Sequence, residues 1–374
     1  MMPNTIGIIY ANSGSYNLQG LAKERPIAAV PFGGRYRILD FALSSMVNSG
    51  LRTIGLVTPH HYRALLDHLG AGKDWFLDRK AGGLFILPGV MHSLAGTDNT
   101  FCIKDIHHNI EFLQKDYAEN VVITRGDRIF NINFEDALKV HNDKQADVTL
   151  IYKECGNLGD PILDRLLEMN EDQKVSRIKD QKGLERSEPG QLHFVNMLII
   201  RRELLLNIVE KYSTNGCIDL MDILTINLEV LKIYGSPTDS LIGAIRTVKD
   251  YFHRSMDLLD LDVRDKLLLG EDGIHTKIVD NPPTRYTSQA KVSNSLIASG
   301  CTIAGEVLNS IIFRGVIVEE GCRIKNSIIM PKCHIYKNAQ MEYAILDKFV
   351  KVNAGNVLKG SLNKPLVVLK STVI

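Results

Sequence analysis

Three arginines lie near the amino terminus, on either side of the pair Gly33–Gly34: Arg25, Arg35 and Arg37. A guanidinium carries a permanent charge and a planar set of donors, which suits bidentate binding of phosphate or sulfate. A short basic cluster is more often an ordinary solvated surface. The segment therefore has two interpretations: a site for a phosphate-like anion, and an ordinary charged face.

Other residue types that could do chemistry give weaker signals. The six cysteines are scattered without a C-x-x-C pair, which is typical of reduced thiols in a cytoplasmic protein. The eleven histidines show no H-E-x-x-H or similar spacing, so no metal site is predicted from them. His334 is a candidate base for acyl transfer between subunits, but a turn or coil histidine without a chemical role is the more frequent case.

Alternating strand-like and helix-like segments in the first two thirds of the chain would position these residues. Short apolar runs read as buried strands at 5–11, 52–58, 119–125 and 146–153, and helical periodicity appears at 40–50, 62–70, 133–143 and 201–212. Such alternation is typical of an α/β domain with a mostly parallel, Rossmann-like sheet covered on both faces. Ligands of such sheets bind at the carboxyl ends of the strands.

The last quarter of the chain has a different pattern, with apolar residues about six positions apart. Val318, Ile324 and Met330 follow this spacing, as do Ile297 and Ile303. A six-residue unit is one short face of a coil, and it buries its apolar residue only when coils stack. The pattern therefore predicts a parallel β-helix of hexapeptide repeats.

Length and composition limit the possible functions. The 374 residues suggest more than one domain. We place an α/β domain at 1–255, a linker helix and loop at 256–290, and the β-helix at 291–374. A net charge of +1 offers no polybasic surface for nucleic acid or membrane, and no apolar run approaches the roughly 20 residues of a membrane span. The first apolar stretch lacks a basic flank and reads as a core strand, so we expect a cytoplasmic protein.

Several segments together resemble the glucose-1-phosphate adenylyltransferase (ADP-glucose pyrophosphorylase) family. The resemblance is strongest in AAVPFGGRYRILDFALSSMVNSG and recurs in DWFLDRKAGGLFILP, in VVITRGDRIFNINF, in DYFHRSMDLLD and in most of the repeat region. It implies a nucleotidyltransferase domain followed by a left-handed β-helix, assembly as tetramers and a place in glycogen synthesis. The family reaction joins ATP and glucose 1-phosphate to give ADP-glucose and pyrophosphate, using a glycine-rich phosphate loop and Mg²⁺ held by carboxylates.

The segment 10–22 aligns with the phosphate loop of that family but has lost its residue types. Asn12 and Ser13 stand where the resemblance places two glycines, and Asn17 stands where it places a phosphate-binding arginine. Ile27 replaces a lysine downstream. Side chains at glycine positions obstruct the approach of the backbone to a triphosphate, and loss of a positioned arginine typically costs about 10³–10⁵ in rate. These changes predict a degenerate site.

The resemblance also implies two magnesium carboxylates, of which one remains. Asp127 in the motif GDR matches the first, whereas Ala244 occupies the position of the second. Arg246 stands close by, where the family has a glycine. We therefore expect Mg²⁺ to bind weakly or not at all, and no other cofactor is implied.

An intact scaffold with altered catalytic positions resembles the GlgD-type partner that some bacteria encode beside a catalytic GlgC-type subunit. The leading hypothesis is thus a non-catalytic regulatory subunit that joins the catalytic adenylyltransferase subunit in a hetero-oligomer, most simply a tetramer, and activates it. Two alternatives remain: an active adenylyltransferase with an atypical site, and a stand-alone protein that senses a sugar phosphate or nucleotide. An enzyme of the first kind would make ADP-glucose alone.

Overall fold

The described chain forms two compact units. The computed structural model describes residues 5–12, 18–59, 61–90, 101–156, 165–180, 188–214, 218–270 and 272–374. The first unit comprises residues up to 14 together with 41–243, and the second comprises 15–40 together with 244–374. This division by contacts differs from the division by sequence pattern, because segment 15–40 belongs with the carboxyl-terminal unit.

The first unit is built on a nine-stranded mixed sheet. The strands before the repeat region are β1 (Thr5–Tyr10), β2 (Pro31–Phe32), β3 (Tyr36–Arg37), β4 (Thr53–Thr58), β5 (Gly83–Pro88), β6 (Asn120–Arg125), β7 (Arg128–Phe130), β8 (Val148–Glu154), β9 (Arg165–Met169), β10 (Val175–Asp180), β11 (Leu192–Arg201), β12 (Ile233–Pro237) and β13 (Ile242–Ala244). The main path of the sheet runs β10-β9-β11-β6-β1-β4-β5, and β8 joins β12 to β11. Strands β6, β1, β4 and β5 are parallel, whereas β11 is antiparallel to β6 and β8.

The helices follow the apolar periodicity of the sequence. They are α1 (Ile38–Asn48), α2 (Arg63–Leu69), α3 (Ile103–His108), α4 (Ile110–Gln114), α5 (Glu135–Asp143), α6 (Arg202–Tyr212), α7 (Leu220–Ile226), α8 (Val248–Met256) and α9 (Leu261–Arg264). Short 3₁₀ turns cover Ile27–Ala29, Lys73–Trp75 and Asp257–Leu259, and Asp265–Leu269 forms a π-helical turn. Among the described residues no helix is both long and apolar enough to cross a membrane. The strands and helices predicted at the segments named above are confirmed.

The second unit holds segment 15–40 against α8 and the repeat region. Tyr251 on α8 is fully buried and donates its hydroxyl to the carbonyl of Pro31 over 2.7 Å. Its ring meets that of Phe32 edge to face at 6.5 Å. Burial raises the pKa of the Tyr251 phenol, so the group stays a neutral donor. Helix α8 begins with a capping box formed by Thr247 and Asp250.

The repeat region is a parallel β-helix with three five-stranded faces. Its strands are β14 (Arg285–Tyr286), β15 (Lys291–Ser293), β16 (Leu296–Ile297), β17 (Thr302–Ile303), β18 (Glu306–Leu308), β19 (Ile311–Ile312), β20 (Ile317–Val318), β21 (Arg323–Lys325), β22 (Ile328–Ile329), β23 (His334–Ile335), β24 (Gln340–Glu342), β25 (Ala344–Leu346), β26 (Lys351–Val352), β27 (Val357–Lys359) and β28 (Leu366–Val368). Every third strand pairs in parallel, in the orders β14-β17-β20-β23-β26, β15-β18-β21-β24-β27 and β16-β19-β22-β25-β28. Val318, Ile324 and Met330 are at most 1% exposed, as the repeat predicts.

A column of serines connects successive coils at one corner of this β-helix. The Ser295 hydroxyl accepts a hydrogen bond from the Ser310 amide, and the Ser310 hydroxyl accepts one from the Ser327 amide, each over 3.1 Å. The Ser327 hydroxyl continues the series to the Ala344 amide. Asparagines precede the three serines in left-handed conformations, with φ of 40–46° at Asn294, Asn309 and Asn326. Asparagine tolerates this conformation better than most residues, and the coil can therefore turn there.

Candidate functional site

Asp127, the candidate metal carboxylate, lies just past the carboxyl end of β6 and is paired with an arginine. The Arg125 Nε donates to Asp127 Oδ1 over 3.0 Å and to Oδ2 over 3.1 Å, and Arg125 Nη2 donates to Oδ2 as well. The Arg128 Nε lies 3.9 Å from Oδ1. All three side chains are buried, with exposed fractions of 3%, 3% and 1% for Arg125, Asp127 and Arg128.

This geometry does not fit the magnesium ion that the resemblance implies. Mg²⁺ requires oxygen ligands at about 2.0–2.1 Å in nearly ideal octahedral geometry and usually keeps several waters. At Asp127 both carboxylate oxygens already accept hydrogen bonds from one guanidinium. A second guanidinium, that of Arg128, adds positive charge beside the same carboxylate. We therefore assign no catalytic step to a metal at this position.

Of the altered positions in the phosphate loop, the structure describes Asn12. Its side-chain amide donates to Asp105 Oδ2 over 3.3 Å, and the other oxygen of Asp105 accepts the Val90 amide over 2.7 Å. Asp105 is 1% exposed, so Asn12 contacts a fixed buried carboxylate. The predicted loop positions Ser13 and Asn17 lie outside the described residues.

Two further predicted positions lie in the second unit. Ile27 is 4% exposed and begins the 3₁₀ turn Ile27–Ala29, where it packs as a core residue. Ala244 is the last residue of β13 and is partly buried. The Arg246 amide donates to Asp250 at the start of α8. Ile27 and Ala244 have aliphatic side chains, so neither can contact a phosphate or a metal through charge.

Arg25, one of the three predicted anion-binding arginines, is committed to an internal ion pair. Its Nη2 lies 2.7 Å from Asp347 Oδ1 in the β-helix, and the two side chains are 6% and 4% exposed. Burial of both partners favours one fixed geometry. The structure therefore places Arg25 in a contact that ties segment 15–40 to the last coils.

Arg37 lies near a lysine that the sequence did not single out. Lys348 follows Asp347 and donates its backbone amide to that carboxylate over 2.7 Å. Burial, together with the positive charges of Arg37 and Arg25, lowers the pKa of Lys348 to about 7. Positive charges crowded in this way are stabilised by an anion. Arg37 and Lys348 thus mark the strongest candidate anion site in the described second unit.

Arg35 is exposed and lies over an aromatic ring. Its guanidinium carbon is 4.8 Å from the centroid of the Tyr36 ring, a cation–π arrangement. Burial and the nearby charge of Arg35 lower the pKa of Arg314, whose Nη1 donates to the Lys277 carbonyl over 3.4 Å. The positive charges of Arg35 and Arg314 therefore repel each other, and a bound anion would reduce this repulsion.

His334, the alternative candidate base, is engaged on the surface of the β-helix. Its Nε2 lies 2.8 Å from Glu319 Oε1, and its ring stacks on Tyr336 with centroids 4.0 Å apart. Both members of the His334–Glu319 pair are partly exposed, at 28% and 27%. The contact with Glu319 explains the position of the imidazole as a pairing between neighbouring coils.

Arg125 contacts the predicted site residue Asp127 but was not itself predicted as a site residue. The segment reads R-G-D-R, so an arginine stands on either side of the retained aspartate. A carboxylate two residues from a basic side chain at the end of a buried strand is a recognisable signal of an internal pair. Lys348 gave no such signal, because only the packing of segment 15–40 with the β-helix brings it near Arg37 and Arg25.

Comparison with known proteins agrees with both parts of the fold. A family model described as nucleotidyl transferase matches residues 7–157, and one described as GlmU-like, C-terminal hexapeptide, matches residues 276–361. The second match agrees with the left-handed β-helix of hexapeptide repeats that the sequence predicts. It covers strands β14 to β27 of the β-helix.

Curated relatives align with nearly the whole chain. The chain is 35% identical over 368 residues to the glycogen biosynthesis protein GlgD of Geobacillus stearothermophilus, covering 98% of this chain and 96% of that protein. It is 30% identical to GlgD of Bacillus subtilis with the same coverage. It is also 31% identical to the glucose-1-phosphate adenylyltransferase of Bacillus cytotoxicus, over 98% and 97% of the two chains. The chain thus belongs to the glucose-1-phosphate adenylyltransferase family, as a GlgD-type member.

Proposed function

We propose that this chain is a non-catalytic subunit that assembles with a catalytic glucose-1-phosphate adenylyltransferase subunit and activates it. The names of its relatives support a role in glycogen biosynthesis. The observation that carries the non-catalytic part is the commitment of the Asp127 carboxylate to Arg125. Phosphoryl transfer depends on positioning and on cations that neutralise the leaving group, and this carboxylate is not open to a metal.

Activation of a partner would follow from a shift in its conformational population. A subunit that binds the competent state of the catalytic chain more tightly raises the fraction of that state. A gain of 5–150-fold corresponds to a coupling free energy of about 1–3 kcal/mol. We expect a hetero-oligomer, most simply a tetramer, because the family resemblance implies tetramers and the non-catalytic chain keeps the whole scaffold.

The assay that tests this proposal compares three samples. ADP-glucose formation from ATP and glucose 1-phosphate is measured with this chain alone, with the catalytic subunit alone and with both. We expect no turnover in the first and a higher rate in the third than in the second. Equal rates in the last two would refute activation. Turnover by the first sample that Asp127→Asn abolishes would refute the non-catalytic assignment.

The second part of the proposal is an anion effector site at Arg37 and Lys348. The observation that favours it is the lowered pKa of Lys348, whose causes include two neighbouring arginines. A phosphorylated sugar or a sulfate would relieve that repulsion and favour the protonated lysine. Because Lys348 loses its charge above a pH of about 7, anion binding should weaken as the pH rises.

Sulfate is the suitable probe, since it does not titrate between pH 6 and 9. We expect calorimetry to show tighter sulfate binding at pH 6 than at pH 9. Lys348→Met should abolish this difference. Lys351→Met removes an exposed lysine from the same coil and serves as the matched control. Binding that is equally tight in wild type and Lys348→Met would exclude the site.

A further inference from the structure

A cavity in the first unit lies at the end of strand β6 that is opposite to Asp127. Strand β6 begins at Asn120, which lines the cavity, and ends at Arg125. Five residue steps of about 3.3 Å separate the two ends by roughly 17 Å. The cavity has a volume of about 430 Å³, within the roughly 300–1,000 Å³ of small-molecule sites. Its lining comes from the loop before β6, the end of α5 with the turn after it, and the junction of β11 with α6.

A buried histidine at this cavity has an unused ring nitrogen. His141 is 2% exposed, its Nδ1 lies 2.9 Å from Thr149 Oγ1, and its Nε2 has no hydrogen-bond partner among the described residues. Burial, followed by the positive charge of Arg201, lowers the pKa of His141 to about 4, so the imidazole is neutral near pH 7. Its Nε2 is a donor in one tautomer and an acceptor in the other. A ligand hydroxyl would satisfy either tautomer, because a hydroxyl both donates and accepts.

The charged side chains at the cavity balance one another. Two arginines, Arg201 and Arg202, and two glutamates, Glu119 and Glu203, contribute to the lining. Arg201 also donates to the Gln145 carbonyl over 2.9 Å, and Arg202 donates to two backbone carbonyls over 2.6 and 3.1 Å. An anion therefore gains little net attraction here, in contrast to the anion site proposed above. The lining favours a ligand that is polar and uncharged.

An exposed tyrosine at the rim adds an aromatic surface. Tyr117 lies in the loop between α4 and β6, lines the cavity and is 93% exposed. Side-chain amides of Asn120, Asn142 and Gln145 lie along the same cavity, and each amide offers both donors and an acceptor. A sugar ring can pack a C–H face on an aromatic ring while its hydroxyls bond to polar groups around it. The set of side chains at this cavity matches these requirements.

We propose that this cavity is a binding site for a neutral carbohydrate, with a sugar ring against Tyr117 and hydroxyls directed to His141 and the neighbouring amides. A nucleobase could also stack on Tyr117, but its ring donors and acceptors are fixed, whereas a hydroxyl fits either tautomer of His141. The proposal concerns sugar binding by this chain alone. It does not depend on the non-catalytic assignment or on the anion site, so each can fail without the others.

The test is binding of maltotriose, an uncharged chain of three glucose units, to the full chain. We expect saturable binding at millimolar concentrations in calorimetry, and saturation transfer from the protein to the sugar protons in nuclear magnetic resonance. Tyr117→Ala should weaken binding roughly tenfold because the stacking surface is lost. Asn142→Ala should weaken it about 2–10-fold through the loss of one hydrogen bond. Tyr117→Phe keeps the ring and should bind maltotriose like wild type.

Tyr286→Ala is the matched control, because it removes an exposed tyrosine from the second unit and should leave binding unchanged. Tyr117 and Asn142 are exposed, so their variants should fold, and circular dichroism checks this. The absence of saturable maltotriose binding to wild type, or equal binding by wild type and Tyr117→Ala, overturns the proposal. Adenosine that binds more tightly than maltotriose and is lost in Tyr117→Ala would identify a nucleobase site instead and would also overturn it.

Discussion

Two buried arginine–aspartate pairs carry different structural roles in this chain. Arg125 and Asp127 are two residues apart, and their pairing engages both oxygens of the Asp127 carboxylate. Arg25 and Asp347 are 322 residues apart, and their pairing joins the amino-terminal segment to the β-helix. The net attraction within a buried ion pair adds little to stability. Breaking the pair is costly because the remaining partner is left as an uncompensated buried charge. Substitution of one partner is therefore the informative experiment.

Asp347→Asn should destabilise the second unit. The change leaves Arg25 buried without its counter-charge, and such losses typically cost about 3–5 kcal/mol. Urea unfolding followed by circular dichroism measures the effect. Glu24→Gln is the matched control, because its partner Lys370 is 2.9 Å away on an exposed surface and such pairs contribute little. Equal denaturation midpoints for Asp347→Asn and wild type would contradict the assigned role of the pair.

Lys348 should give the free energy of unfolding a characteristic pH dependence. Its pKa falls from an ordinary value of 10.5 to about 7 on folding, so between these values the unfolded chain binds more protons than the folded chain. Stability contributed at this position therefore rises from about pH 7 toward 10.5 and is lost as the pH falls through 7. Lys348→Met should be more stable than wild type at pH 6, with a difference that shrinks by pH 10. A constant difference would show that Lys348 titrates normally.

The sequence predicted which residue types were missing from the site, but not what the remaining ones contact. The predictions at Ile27 and Ala244 needed only the sequence, because the resemblance implies a lysine and a carboxylate at these positions. The pairing of Arg25 with Asp347 could not be predicted, since it depends on a contact across most of the chain. Lys348 was missed for the same reason. Its pKa depends on Arg37 and Arg25, which are distant in sequence and come near it only when segment 15–40 packs with the β-helix.

At the scale of elements, the serine column shows how coils of similar sequence stay in register. Each hydroxyl accepts an amide of the next coil and donates to a carbonyl in its own coil, as Ser310 does with Leu308 over 2.7 Å. Ser310 and Ser327 are fully buried, so these amides have no access to water. A buried amide without an acceptor is costly. The N-S dipeptide thus fixes both the turn and the stacking of the coils.

Ser310→Ala should reduce the stability of the β-helix by about 1–3 kcal/mol, because it leaves the Ser327 amide without its acceptor. Thermal unfolding of the full chain measures the change. Hydrogen exchange should show faster exchange at the Ser327 amide in particular. Ser299→Ala removes an exposed hydroxyl from the same domain, and such surface changes are usually within 0.5 kcal/mol. Equal effects of the two substitutions would rule out a special role for the column.

Most elements were predictable because their apolar periodicity is strong. The runs that form β1, β4 and β6 are continuous, and the six-residue spacing indicated the β-helix directly. The direction of β11 was not predictable. Its run Leu192–Arg201 is as apolar as a parallel strand, and a bulge with Asn196 at φ 58° interrupts its pairing with β8. Burial on both faces removes the alternation that would have distinguished the two directions.

At the scale of the whole molecule, the boundary between the two compact units does not follow the change from the α/β pattern to the hexapeptide repeat pattern. Segment 15–40 precedes most of the α/β unit in the chain, yet it belongs to the unit of the β-helix. Arg25 reaches Asp347, and Pro31 accepts the hydroxyl of Tyr251. The composition of segment 15–40 does not indicate that it packs with the β-helix unit, because the local sequence pattern of a segment does not specify which distant residues it contacts. The segment is therefore expected to be required for the stability of the carboxyl-terminal unit.

A fragment of residues 244–374 should consequently be less stable than the same fragment joined to residues 18–40. Without the segment, Asp347 loses its counter-ion Arg25 and the Tyr251 hydroxyl loses its acceptor, the Pro31 carbonyl, at a combined cost of about 4–8 kcal/mol. A short glycine–serine linker from residue 374 to residue 18 suffices, because Gly20 lies against Leu369 and Glu24 pairs with Lys370. The joined fragment should melt roughly 10 °C or more above the bare one. Arg25→Ala should remove much of that gain. Equal melting temperatures for the bare and joined fragments would show that the segment does not stabilise the carboxyl-terminal unit.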